Sequence, residues 1–260
     1  MHKSRLLVFV LAGMAVVVSL TPAQSLKGMS FNGATGLIAI PTGQIGWEKT
    51  ADIGLDFGYH AIVDDDETAH IPKGSISLFK LGEISFAYDT QTEDDNEDMI
   101  LGGKIQLPTT STFIAVGVDF QFLKQNDEDE TVSQIYLAAT YPGKFFNMPS
   151  STTVVIGKSF GDPIPDSDID FGMGFDLLLF PSIFQNYIHW ITDFANFSYS
   201  AQAIGAEAAL RGTFNTGIRI DIASHPKLRK YKFVIDAFLT DALDDNRAFS
   251  MGIAFGAPLK

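Results

Sequence analysis

Residues 50–62 read TADIGLDFGYHAI and alternate strictly between apolar residues and small or polar ones. One set is Ala51, Ile53, Leu55, Phe57 and Tyr59, and the other is Asp52, Gly54, Asp56, Gly58 and His60. Successive side chains of a β-strand point to opposite faces. The pattern therefore predicts a strand with one face in an apolar medium and the other facing a polar interior or water.

The same period of two recurs along the rest of the chain, most clearly over 168–180 and 206–223. It predicts about twelve strands, within a range of about ten to fourteen. The expected spans are 50–62, 74–81, 83–92, 98–107, 112–123, 132–141, 151–160, 168–180, 187–199, 206–223, 230–240 and 247–257. Two assignments stay open: 186–200 alternates loosely and fits a strand or an interfacial helix, and 206–223 could divide at Arg211–Gly212.

Acidic residues concentrate in every second connection between these strands. The acidic connections are 64–67, 93–98, 127–130, 162–168 and 241–245, whereas those between them, such as 107–110 and 225–230, are short, apolar or basic. In an up-and-down antiparallel sheet, alternate connections lie at opposite ends. The sequence therefore predicts one acidic end and one neutral-to-basic end.

Charged residues within the strands fall on the face that also carries Gly, Ser, Ala and Thr. The expected lumen-facing residues are Asp52, Asp56, Asp119, Asp170, Asp176, Arg211, Arg219 and Asp221. A charge that pointed into lipid at mid-depth would cost about 2–4 kcal/mol, so this one-sided distribution fits a lipid-facing opposite surface. We therefore predict an all-β fold, an up-and-down antiparallel transmembrane β-barrel over 50–260. The alternative is a secreted or periplasmic soluble β-barrel or sandwich that binds a ligand or partner.

The N-terminus has the features of a secretory signal peptide over 1–25, with a basic head, an apolar run and small residues before the expected cleavage. Residues 26–49 are expected to form a periplasmic lead-in segment, with Leu37, Ile38 and Ile40 at the lower mouth or in the lumen and Trp47 at the membrane edge. The chain has no cysteine and a formal net charge of −13. These features exclude disulfides and thiolate sites, and they argue against a nucleic-acid partner.

No catalytic, cofactor or metal site is expected from the motifs. His60, His70, His189 and His225 do not lie beside a serine in a nucleophile motif. The acidic connection at 94–98 lacks the glycine and the spacing of a calcium loop. The sequence thus favours a non-enzymatic protein, in which lumen charges would shape ion selectivity or stiffen the barrel.

The segment Gly33–Gly43, GATGLIAIPTG, resembles the opening motif of YjbH-like outer-membrane β-barrel proteins. The matching positions are Gly33, Thr35, Gly36, Leu37, Pro41 and Thr42. The resemblance implies an outer-membrane barrel with an envelope or polysaccharide-export role. Together with the strand pattern it predicts a narrow channel or envelope component, with outer-membrane lipid, the barrel assembly machinery, and small solutes or polysaccharide as partners.

Overall fold

The computed structural model describes residues 27–47, 51–64, 68–91, 97–125, 128–161, 169–196, 212–245 and 247–259. Twelve strands form one closed barrel. They are β1 (Ile53–Val63), β2 (Thr68–Leu78), β3 (Gly82–Gln91), β4 (Glu97–Leu107), β5 (Phe113–Gln125), β6 (Glu128–Phe145), β7 (Met148–Phe160), β8 (Asp170–Leu178), β9 (Ile188–Ala195), β10 (Thr213–Asp221), β11 (Lys232–Thr240) and β12 (Ala248–Leu259).

Each strand pairs in antiparallel fashion with its neighbours in sequence, and β12 pairs with β1 to close the barrel. Phe57 lies opposite Phe255 at this closing pair. The predicted up-and-down barrel is therefore confirmed. The main difference in bounds is β2, which begins at Thr68 rather than at 74. Pro72, which is unusual inside a strand, had concealed its first half.

Residues 186–200, for which the sequence allowed either a strand or an interfacial helix, contain strand β9. A short helix, α1 (Pro181–Phe184), precedes it in the connection from β8. The structure begins β10 at Thr213, so Arg211 and the rest of 197–211 lie outside the described residues. Among the described residues, no helix is long and apolar enough to cross a bilayer.

The two faces of the wall differ as the alternation predicts. The outer face exposes large apolar side chains, among them Phe57, Ile84, Ile135 and Ile253, each more than half exposed. The inner face carries Gly, Ser, Thr and nearly all buried charged residues of the strands. A water-facing surface does not normally present a continuous belt of such residues.

The topology distinguishes two ends of the barrel. We call the end that carries the β1–β2, β3–β4, β5–β6, β7–β8, β9–β10 and β11–β12 connections the loop end. The opposite end, which holds residues 79–81, 108–112, 146–147, 179–187 and 222–231, is the turn end. All the acidic connections fall at the loop end.

The lumen is occupied by the chain's own residues 27–47, which we call the plug. All but the first of these residues are buried. Leu37, Ile38 and Ile40 of the expected periplasmic segment were predicted at the lower mouth or in the lumen of the barrel, and the structure buries them in the lumen together with the rest of the plug. The barrel thus encloses a folded core supplied by the part of the chain that precedes its first strand.

Candidate functional site

The plug is a compact structure rather than an extended strand. Isolated β-bridges join Met29 to Thr35 and Gly36 to Pro41. Gly33 has a φ of +85°, and a Cβ built there would lie 2.3 Å from the backbone oxygen of Phe86 in the wall. Only glycine combines this φ with so close an approach. The residues of the GATGLIAIPTG motif therefore shape the plug and its fit to the wall.

Apolar side chains of the plug pack against the inner wall. Leu37, Ile38 and Ile40 are fully buried. They join Phe31 in a hydrophobic cluster with wall residues Ile62, Ile71, Ile100, Tyr136, Val155, Ile191 and Phe238. Burial of an aliphatic side chain contributes about 1.5–3 kcal/mol. This cluster gives the plug an apolar anchor at the centre of the barrel.

Wall carboxylates accept the plug's backbone N–H groups. One oxygen of Asp193 accepts from Ile38 at 2.9 Å, Ala39 at 2.7 Å and Ile40 at 3.2 Å. Glu83 accepts from the backbone N–H of Thr35 at 2.7 Å and from the hydroxyl of Thr35 at 2.6 Å. Bonds from N–H to a charged acceptor are among the stronger protein hydrogen bonds. Asp193 and Glu83 therefore hold the plug through its backbone.

Wall cations bind the plug's carbonyl oxygens. Arg219 donates to the carbonyls of Gly36 and Leu37, each at 3.1 Å. Lys104 donates to the carbonyls of Thr35 at 2.7 Å and Thr42 at 3.1 Å, and Lys73 donates to that of Ser30 at 2.8 Å.

Two of these three cations also pair with wall carboxylates. Arg219 Nε lies 2.7 Å from Asp236, and Lys104 Nζ lies 3.3 Å from Glu83. The same groups therefore brace the barrel and recognise the plug.

Both ends of the plug contact charged wall residues near the turn end. The indole N–H of Trp47 donates to Asp56 at 3.1 Å, and Lys232 lies 2.8 Å from the same carboxylate. Lys27 pairs with Asp221 at 3.2 Å. Trp47 is thus an interior residue that contacts Asp56, and the expectation that it marks a membrane edge was wrong. Its side chain is buried inside the barrel with the rest of the plug, ahead of the start of β1.

Seven of the eight predicted lumen residues divide into three groups. Four of them contact the plug: Asp56 contacts Trp47, Asp119 contacts Asn32, Arg219 contacts Gly36 and Leu37, and Asp221 contacts Lys27. Asp170 and Asp176 are buried on the inner wall and bind other wall residues, with Asp170 accepting from Gln134 and Ser159 and Asp176 bonding His189. Arg211 lies outside the described residues.

The prediction for Asp52 was wrong. It has the inward parity of its stretch, but it lies just before β1, where no wall encloses it. Its side chain is 78% exposed and pairs with Lys80 at 3.2 Å. Parity alone does not place a residue in the lumen when the strand has not yet begun.

Several central residues were not selected from the sequence: Lys73, Glu83, Lys104, Asp193, Lys232 and Asp236. Lys232 and Asp236 lie on the same inner face of β11 as Val234 and Phe238, so the inward parity of this strand could have identified them. Glu83 is the first residue of the expected strand 83–92, and Lys73 falls just before the expected strand 74–81. Asp193 lies in the loosely alternating region. Their roles depend on the plug, whose position no strand pattern indicates.

His60 has a packing role at the plug–wall contact. Its ring packs edge-on against Phe31 of the plug with centroids 5.4 Å apart, and it stacks on Phe238 at 5.9 Å. Its Nε2 lies 3.3 Å from Asp236. These contacts account for the burial of His60 as part of the filled lumen.

Carboxylates outnumber cations on the inner wall. Ten buried Asp and Glu residues lie on the described strands: Asp56, Glu83, Asp89, Asp98, Asp119, Asp170, Asp176, Asp193, Asp221 and Asp236. The buried Lys and Arg residues on those strands are four: Lys73, Lys104, Arg219 and Lys232. Within the described ranges, no group of three His, Cys, Asp or Glu residues is arranged to hold a metal ion. The wall is therefore acidic without a defined metal centre.

The barrel is similar to solved porin structures. The KdgM porin in complex with disordered oligogalacturonate gives a TM-score of 0.53 at 6% identity, over 77% of this chain and 98% of that one. The KdgM porin alone gives 0.51 at 6% identity over 79% and 99%, and the NanC porin gives 0.50 at 10% identity over 79% and 100%. No protein-family model matches the chain. No curated protein matches it either. The likeness shows a porin-type barrel fold.

Proposed function

We propose that this protein is a non-enzymatic channel of the bacterial outer membrane that its own N-terminal plug holds closed. The observation that carries the proposal is the plug itself, residues 27–47, seated inside a closed twelve-stranded barrel. The channel conducts when the plug leaves its seat. The loop end faces the outside of the cell, and the turn end faces the periplasm.

The outer face supports a membrane location. Only closed barrels and helices satisfy every backbone polar group in lipid, and this barrel has no open edge. Its exposed belt of Phe, Ile and Leu suits hydrocarbon, whereas a soluble barrel would expose this belt to water. The belt therefore favours the membrane channel over the soluble ligand-binding barrel.

The chemistry of the plug contacts supports a movable segment. The plug contacts the wall through hydrogen bonds, side-chain packing and the Lys27–Asp221 ion pair, and the chain has no cysteine that could cross-link the two. Water entering the lumen can replace the hydrogen bonds that Asp193 and Glu83 accept from the plug and those that Lys104 and Arg219 donate to it. The net contribution of a hydrogen bond to a charged group is about 1.5–3 kcal/mol, so a few substitutions can weaken the binding of the plug to the wall.

Conductance in a planar bilayer tests the proposal. We define the release variant as Gly33→Ala with Gly43→Ala in the full chain. Cβ atoms at these positions would lie 2.3 Å from the oxygen of Phe86 and 2.2 Å from that of Phe113. The positive φ of Gly33 alone costs an alanine about 1–2 kcal/mol, enough for roughly tenfold more opening. We expect rare openings in the wild type and frequent ones in the release variant.

A matched control uses glycines of the wall. In Gly82→Ala with Gly143→Ala, each added Cβ would meet its nearest neighbour at 3.6 Å, an ordinary contact. We expect this variant to conduct like the wild type. Heat-modifiable gel migration would establish that both variants are folded barrels. A folded release variant that passes no more current than the control overturns the proposed channel.

The resemblance of Gly33–Gly43 to YjbH-like proteins supports an envelope role for this channel. Under the proposal, the barrel assembly machinery inserts the chain into the outer membrane, and the solutes that pass are small molecules or polysaccharide. Export of labelled polysaccharide from cells with and without the chain tests this part. Unchanged export would restrict the protein to small solutes.

A further inference from the structure

We propose that the open channel selects cations, and that Asp119 and Asp193 are its main selectivity residues. The inference rests on the proposed channel and names the class of solute that the channel accepts. It concerns the lumen after the plug has left, when wall groups that now bind the plug face water and ions.

The charged pairs of the wall leave a surplus of carboxylates. Three of the four wall cations pair with a wall carboxylate. Lys104 pairs with Glu83 and Arg219 with Asp236 on neighbouring strands, and Lys232 of β11 pairs with Asp56 of β1 past the intervening β12. These pairs persist without the plug because both partners belong to the wall. The ten buried wall carboxylates outnumber the four buried wall cations. This excess of negative charge gives the lumen a negative potential, which attracts cations and excludes anions.

The plug supplies hydrogen-bond donors or positive charge to three further wall carboxylates, Asp119, Asp193 and Asp221. Residues 27–47 contain one cation, Lys27, and no acidic residue. The plug offers Asp193 three backbone N–H groups and offers Asp119 the amide of Asn32 at 2.9 Å. A group that replaces the plug must likewise present positive charge or N–H donors to these carboxylates.

Asp119 is an additional, independent indication. It is only 3% exposed, and its Oδ1 has no hydrogen-bond partner, while Oδ2 binds Asn32 of the plug. A buried carboxylate oxygen without a hydrogen-bond partner can take a cation without breaking an existing bond. When the plug leaves, both oxygens of Asp119 become available.

The charge of the inner wall also differs between the two ends of the barrel. Each of the three cation–carboxylate pairs has a member toward the turn end: Glu83 near the start of β3, Lys232 at the start of β11 and Arg219 near the end of β10. Asp89, Asp98 and Asp170 lie on the inner wall toward the loop end. A solute arriving from the loop end therefore meets an acidic half of the lumen before it reaches the paired charges.

Reversal potentials in a KCl gradient test the inference, with the release variant in the full chain as the background. At low ionic strength we expect about a tenfold preference for potassium over chloride. Asp119→Asn with Asp193→Asn keeps side-chain size and removes two charges, so the preference should fall severalfold. Asp52→Asn, a change at an exposed carboxylate outside the lumen, should leave the reversal potential unchanged.

The outcomes separate this inference from the proposed function. If the release variant opens but prefers chloride, or if the double Asn variant keeps the full potassium preference, cation selection by these residues is wrong while the channel stands. If no variant conducts, the channel itself fails. If the double Asn variant does not fold, each single Asn variant is measured, and an unchanged preference in both overturns the assignment.

Discussion

At the scale of single residues, Asp193 shows how one side chain can hold a segment. Its Oδ2 accepts three consecutive backbone N–H groups of the plug, and its Oδ1 accepts from Asn215 of the wall at 2.9 Å. The carboxylate thereby fixes the plug relative to β9 and β10. The arrangement resembles a backbone nest around an anion, with the anion supplied by the protein.

The first prediction concerns this carboxylate. Asp193→Ala leaves three buried N–H groups without an acceptor, at a cost of about 1–3 kcal/mol for each such group. Even about 2 kcal/mol corresponds to roughly a thirtyfold rise in the open fraction. Single-channel recording measures this rise.

Asp170→Ala is the matched control for Asp193→Ala. Asp170 is also a buried wall carboxylate that accepts two hydrogen bonds, from Gln134 and Ser159, and both donors belong to the wall. We expect its loss to lower barrel stability without raising the open fraction. Equal open fractions in the two variants would refute the role of Asp193 in holding the plug.

At the scale of elements, the strands were largely predictable and the plug was not. Alternation located β1, β8 and β12 because one face of each meets an apolar medium and the other a polar interior. The alternation did not reveal the first half of β2, because a proline, Pro72, stands on its outer face and a lysine, Lys73, on its buried face. Lys73 is buried there with a hydrogen bond to Ser30 of the plug. No local pattern reveals that a cation will be satisfied by a segment some forty residues away.

A disulfide between plug and wall tests the plug as a movable element. The natural chain has no cysteine, so Met29→Cys with Gly58→Cys introduces the only thiols. Met29 Sδ lies 3.2 Å from the position of a Cβ at residue 58, and the other atoms nearest that position belong to the flexible Lys73 side chain. We expect the oxidised variant to stay closed and the reduced variant to show openings as the wild type does.

Each single cysteine variant serves as a control for the disulfide. Neither can form the intramolecular bond, so an oxidant should leave its current unchanged. The disulfide of the double variant is verified by mass. Current through the fully oxidised double variant would then show that ions pass without movement of the plug at Met29.

At the scale of the whole molecule, the barrel inverts the usual arrangement of a soluble protein. Its polar and charged side chains are interior, and its exterior is apolar. The sequence alone indicated this inversion, because nearly all strand charges share the face of the small residues. It did not indicate whether the lumen was open, since the contents of a barrel depend on long-range contacts rather than on strand period.

The apolar exterior leads to a prediction about depth in the membrane. Phe57 is 62% exposed near the middle of β1, so Phe57→Arg should destabilise the barrel in lipid by about 2–4 kcal/mol. Phe145, 54% exposed at the turn-end limit of β6, is the control, and Phe145→Arg should cost about 0–1 kcal/mol. Reversible unfolding in lipid vesicles measures both. Equal costs would favour the soluble barrel.

The covalent link between the plug and β1 makes the plug a tethered ligand of its own barrel. Trp47 and Ile53 are the last buried residue of the plug and the first residue of β1. The few residues between them span at most about 20 Å when extended. A released plug therefore stays at the turn end at a high effective concentration, of the order of millimolar. Closure is consequently intramolecular, so the open fraction does not depend on how much protein the membrane contains, and dilution cannot remove the blocker.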